Sequence, residues 1–198
     1  MLSFPTHEEA VRLVIKWLRS KAELDSIDAV GHRVVHGGDQ FVAAVRIDDN
    51  VIAGLESLCE MAPLHIPVAI GGIRAAQKIL GRSMSMVAAF DTSFHHGIPE
   101  HAALYAIPHG LAQRHKIRRY GFHGLAHQYD IGRYAEIAGK RMEEINAVIL
   151  HLGNGCSASA IRNGQSIDTS MGFYTPRRFD HGHPFGRFGS RAGELSRA

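Results

Sequence analysis

The sequence predicts a mixed α/β fold, and three observations carry that expectation. Residues 84–90 form an apolar run of strand length that ends on a carboxylate, Asp91. Before it, in 51–61 and 68–80, apolar residues recur at helical spacing. After it, three short runs are joined by Gly153-Asn154-Gly155 and by Asn163-Gly164, turn sequences suited to antiparallel strands. Helix and strand signals interleave along the chain.

Taken in order, Thr6 with Glu9 reads as a capping box opening a helix that runs to about Lys21. Its apolar face would be Ala10, Val11, Val14, Trp17 and Leu18, which needs a surface to pack against. Residues 27–35 read as a strand that ends in the loop His36-Gly37-Gly38. The helices at 51–61 and 68–80 are separated by Pro63 and Pro67. The strand at 84–90 delivers Asp91 at its C-terminal end. Residues 147–152, 157–161 and 165–169 then read as a three-stranded antiparallel meander with a tight turn at each end. From 174 to 198 apolar periodicity vanishes and Arg, Gly and His dominate, so this stretch reads as a tail without regular structure.

Composition excludes several functions. The chain has 198 residues, 45% of them hydrophobic and 21% charged, which fits one ordinary domain or two small lobes. No run approaches the roughly 18 apolar residues of a membrane span, and residues 1–9 show no basic-then-apolar leader. The expected location is therefore cytoplasmic, with no membrane partner. Five Arg and two acids between 177 and 198 account for the whole net charge of +3. The rest of the chain is balanced and offers no electrostatic footprint for nucleic acid. Cys59 and Cys156 are too few for a disulfide framework and read as buried free thiols.

Four segments carry candidate chemistry. His151-Leu152-Gly153-Asn154-Gly155 is a strand feeding a glycine turn whose N–H groups suit phosphate oxygens. Arg33 stands near a strand end beside a glycine loop, where a guanidinium can fork onto a carboxylate or phosphate. Asp91 follows a strand, and His123 sits in a glycine-flanked turn. Each has a plain alternative: a hairpin turn, a surface ion pair, a helix cap or a buried histidine. The 14 histidines also raise a metal-binding reading, since His123 and His127 are four apart and His95-His96 lie near His101. No Glu joins the first pair in an HExxH pattern.

Together, DAVGHRVVHGG, APLHIP, FDTSFH, YGFHG, VILHLGNG and SIDTSMGF, spanning Asp28 to Phe173 in order, resemble the acetate kinase family. The resemblance implies an α/β fragment of the actin-like, sugar-kinase two-lobe fold. It divides the chain into 1–93, the remainder of an N-terminal lobe; 94–173, the start of a second lobe with a phosphate-binding hairpin; and 174–198, a non-family tail. It implies phosphoryl transfer between ATP and acetate, giving acetyl phosphate and ADP, with Mg²⁺ as cofactor and a homodimer in full-length members. Asp91 and His123 become catalytic residues, and Arg33 the ligand of the substrate's carboxylate or phosphate. Val35, Leu64, Phe122 and Pro176 surround its methyl group, and His151, Leu152, Gly153, Asn154 and Gly155 bind ATP phosphate. Propionate or butyrate specificity, and a non-catalytic remnant that at most binds phosphate, are the alternatives.

The family's chains are about twice this long. They carry a Ser-rich phosphate loop with an Asn for the metal and a Lys, an adenosine motif and a late metal-binding Glu, which this sequence does not match. The resemblance therefore implies an isolated chain that is inactive, with no metal ligand of its own. Two further departures are Ile66, where the family has Asn, and Leu125-Ala126, where it has a polar pair. After Phe173 the family continues Thr-Pro-Leu-Glu-Gly-Leu, whereas this chain reads Tyr174-Thr175-Pro176-Arg177-Arg178. One extra base near Tyr174 would account for the whole tail as a shifted reading frame.

Overall fold

The structure, a computed structural model, describes residues 7–20 and 27–173. The capping box at Thr6, the tail from 174 onward and Pro176 within it lie outside the described residues. The chain falls into two compact units divided between Phe90 and Asp91. No helix among the described residues is long and apolar enough to cross a membrane.

In the first unit, α1 (His7–Ser20) packs along α3 (Ile66–Leu80). The buried face of α1 differs from the one its periodicity suggests. Ile15 is buried and Ala10, Val11 and Leu18 of the expected face are half-buried, while Val14 and Trp17 are exposed. Neighbouring α3 covers only a narrow stripe, so two apolar residues of the broader pattern stay in water.

A three-stranded sheet, ordered β1-β3-β2, is made of β1 (Ala29–Val34), β2 (Val45–Arg46) and β3 (Ser85–Phe90). β1 and β3 are parallel and in register from Ala29↔Ser85 to Val34↔Phe90. A parallel pair needs a long crossover, which α2 (Asp49–Ser57) and α3 supply. Asp48 caps α2, its Oδ1 accepting the Val51 N–H at 2.8 Å. Pro67 stands in the first turn of α3, where its missing N–H costs nothing. Val34, Leu55, Ile66, Ile73, Ala88 and Phe90 are fully buried in one core. Phe41 stacks on Phe90 with ring centres 4.9 Å apart. Ile66, one of the departures from the family pattern, is a core residue here.

The second unit opens with Asp91 and a 3-10 turn (Ser93–His95). Two short helices follow, α4 (Glu100–Ala103) and α5 (His109–Arg114), and then α6 (Gly124–Ala138). The sheet β4-β5-β6 comprises β4 (Ala147–Leu152), β5 (Cys156–Arg162) and β6 (Gln165–Thr169), all antiparallel. This is the meander the two turn sequences predict. Ile131, Ala135, Ile145 and Ile161 form the core between α6 and one sheet face.

Helix α6 carries no sequence signal of comparable strength. Its buried positions are Gly124, His127, Ile131 and Ala135, spaced three, four and four apart, and only Ile131 is strongly apolar. The cysteines correct a second expectation: both are free, but Cys59 is half-buried and Cys156 exposed, at the mouth of the 153–155 turn.

Candidate active site

In the first unit, β1 carries Arg33 on its exposed face beside fully buried Val34. The loop that follows is fixed by His36, which is fully buried and accepts the Gly38 N–H on Nδ1 at 2.9 Å. Burial pushes the His36 pKa down to about 4 against the opposing pull of Asp39, so the ring stays neutral and its acceptor atom stays available. Val35 is half-buried, and Leu64, in the turn before α3, is 41% exposed.

The second unit gathers the remaining residues singled out by sequence. Asp91 is buried, and its backbone carbonyl accepts the Gly124 N–H at 3.0 Å. That approach demands glycine, because a Cβ at 124 would stand 2.1 Å from the Asp91 oxygen. His123 is thereby set at the N-terminus of α6 in a left-handed conformation, φ 58°. Phe122 just before it is buried and has its carbonyl 3.2 Å from His95 Nε2. His95 Nδ1 lies 2.8 Å from Ser166 Oγ on β6. With Nε2–H donating to the carbonyl and the serine hydroxyl donating to Nδ1, one neutral imidazole ties three segments together. Burial, with His127 close by, lowers the His95 pKa to about 4 and keeps that arrangement uncharged.

The phosphate-type turn meets His123 directly. Gly153 N–H donates to Gly155 C=O at 3.1 Å, closing the turn between β4 and β5. A Cβ at Gly155 would stand 3.2 Å from His123 Nε2, so glycine lets the imidazole edge reach the backbone of the turn. The His151 ring lies against His123 with centres 4.3 Å apart. His123, His151 and Gly153–Gly155, remote in sequence, therefore share one place, rimmed by half-buried imidazoles and an exposed turn.

Residues not assigned to the site by sequence support it from below. Ser157, buried on β5, lies 2.9 Å from His123 Nδ1 and 2.8 Å from His127 Nε2. Thus His123 and His127, whose spacing suggested metal ligation, share a serine hydroxyl. Among the described residues no group of three or more His, Cys, Asp or Glu is gathered to hold a metal. The signal for Ser157 was strand alternation: Ser157, Ser159 and Ile161 point inward from β5, and two inward serines in a short strand mark a polar patch under the sheet. Chemically, the arrangement offers N–H donors and an imidazole edge to an anion.

Known proteins match over the same stretch. A family model described as the acetokinase family matches residues 1–191. The acetate kinase of Chloroherpeton thalassium is 52% identical over 174 residues, covering 84% of this chain and 42% of that protein. The acetate kinase of Thermotoga maritima is 48% identical, covering 85% and 43%. Among solved structures, an acetate kinase of Porphyromonas gingivalis superposes with a TM-score of 0.80 at 38% identity, covering 87% of this chain and 44% of that one. A propionate kinase of Francisella tularensis does so with 0.81 at 40% identity and the same coverage. The chain spans less than half the length of the relatives it matches.

Proposed function

The chain belongs to the acetokinase family, and from that premise we propose that it carries phosphate-binding and charge-stabilising parts of a kinase moving a phosphoryl group between ATP and acetate. The observation that supports this reading best is the His123 edge set against the Gly153–Gly155 turn. Phosphoryl transfer asks little covalent chemistry of a protein and depends on positioning and on donors aimed at developing charge. The turn supplies backbone donors for an ATP phosphate, and His123 donates to the phosphoryl group in transfer. Arg33 forks onto the substrate's carboxylate or acyl phosphate.

Asp91 has an orienting role. A carboxylate substrate is already ionised at neutral pH, so the reaction needs no general base. The Asp91 carbonyl instead holds the start of α6 and with it His123. Mg²⁺, which the family implies, would neutralise phosphate charge when bound. Among the described residues no group of three or more His, Cys, Asp or Glu is gathered around a place for it. The class of substrate is a short carboxylate; a pocket distinguishes acetate from propionate by only about 1–3 kcal/mol per methylene, and relatives of both names match.

Titration of the 198-residue chain with inorganic phosphate, followed by amide NMR, tests the reading. The Gly153, Asn154 and Gly155 amides and the His123 ring are expected to shift together, and His123→Ala to weaken the response. Saturating phosphate that leaves all four unmoved in a folded sample would overturn it.

A further inference from the structure

We infer that His127 and Ser157 form a one-way hydrogen-bond relay that fixes His123 as the Nε2–H tautomer, making both positioning residues for the imidazole facing the glycine turn. Its functional weight rests on the proposed phosphoryl transfer; its direction rests on geometry.

Ser157 Oγ lies within hydrogen-bond distance of two ring nitrogens, His123 Nδ1 at 2.9 Å and His127 Nε2 at 2.8 Å. A hydroxyl has one proton to give, and each neutral imidazole carries one N–H. Three arrangements are then open: His127 to Ser157 to His123, the reverse, or both rings donating to Oγ, which would strand the buried serine proton because Ser157 Oγ meets no other hydrogen-bond partner among the described residues.

His127 decides between the first two. It is fully buried on α6, and its Nδ1 has no hydrogen-bond partner. Burial, reinforced by the neighbouring His123 and His151, lowers its pKa to about 4, so at neutral pH it has a single ring proton. Placed on Nδ1, that proton would be a buried donor without an acceptor, a rarer and costlier state than an unused acceptor lone pair. Placed on Nε2, it donates to Ser157 Oγ. The serine proton is then left for His123 Nδ1, which must accept.

A neutral His123 that accepts on Nδ1 carries its proton on Nε2. That is the atom facing Gly155, 3.2 Å from where a Cβ would stand. The reverse direction would turn a lone pair toward an incoming phosphate oxygen, two acceptors face to face. Thus a lone pair buried beneath α6 determines that the turn presents a donor. The His151 ring, 4.3 Å away, holds the plane of His123 while the relay sets its proton.

Long-range ¹H–¹⁵N correlation on the 198-residue chain with ¹⁵N-labelled histidine, at pH 7.5, reads each ring tautomer. His123 and His127 are both expected as Nε2–H. His123 found as Nδ1–H, or as an even mixture, overturns the relay. Ser157→Ala should release His123 into a tautomer mixture and weaken inorganic phosphate binding roughly five- to tenfold, the worth of one hydrogen bond. Ser157→Thr, which keeps the hydroxyl, should restore both. An unchanged His123 tautomer in folded Ser157→Ala also overturns the proposal. If that variant does not fold, the wild-type tautomers decide. Nε2–H tautomers that do not respond to phosphate would leave the relay standing and sink the phosphoryl-transfer reading instead.

Discussion

At the scale of single residues, the chain buries histidines where most proteins bury apolar groups, and this makes its stability depend on pH. His36, His95 and His127 each have a pKa lowered to about 4, chiefly by loss of hydration. In the unfolded chain they titrate near 6.5. Between those values the unfolded state binds more protons than the folded one, so stability is full above about pH 6.5 and is lost as pH falls toward 4. His95 and His127, both lowered to about 4, belong to the second unit, and the first holds His36 and His32, the latter lowered less by its burial, so the second should weaken more steeply. Urea midpoints followed by circular dichroism should fall between pH 7.5 and pH 5, with amide exchange accelerating more from Asp91 onward; equal midpoints at the two pH values would contradict this. Arg33, Asp91 and His123 were singled out in the sequence because glycines flank them or a strand ends beside them. Ser157 was not, because a buried serine has no sequence mark beyond strand alternation.

At the scale of elements, legibility followed the strength of local chemistry. The meander was read nearly residue for residue because Asn163-Gly164 and Gly153-Asn154-Gly155 fix turns, and turns fix register. Helix α6 was missed because its inner stripe of Gly124, His127, Ile131 and Ala135 is chosen for close approach and hydrogen bonding, not for apolar area. Two glycines of this helix make that distinction testable. At Gly124 an added Cβ would meet the Asp91 carbonyl at 2.1 Å, so Gly124→Ala must displace the helix start and with it His123; a loss of about 1–3 kcal/mol is expected, as for overpacked sites. At Gly132 a Cβ would meet nothing within 4 Å. Gly132→Ala should therefore stabilise by about 0.5–1 kcal/mol through helix propensity alone. Melting temperatures that move in opposite directions fit this account, whereas a tolerated Gly124→Ala would refute the close approach.

At the scale of the whole molecule, the charge balance was legible from the sequence, but the apolar surface needed the fold. Period-two alternation in β4 sends Val148, Leu150 and Leu152 to the same face, where they are 71%, 59% and 75% exposed. Their partners across the ladder, Ala160, Ala158 and Cys156, add no charge. An antiparallel sheet with one face in water normally makes that face polar. β4 is also an edge, paired among the described residues only with β5, so it offers an apolar face and unpaired backbone together. Such a strand invites association with another chain. The isolated 198-residue chain is therefore expected to self-associate as concentration rises, measured by sedimentation velocity. Leu150→Lys places a charge at the centre of the patch on an exposed position, where a substitution changes folding stability by no more than about 0.5 kcal/mol. It should shift the distribution toward monomer without lowering the urea midpoint. A wild-type chain that stays monomeric at every concentration, or a lysine variant that associates as strongly, would show that this face does not drive the contact.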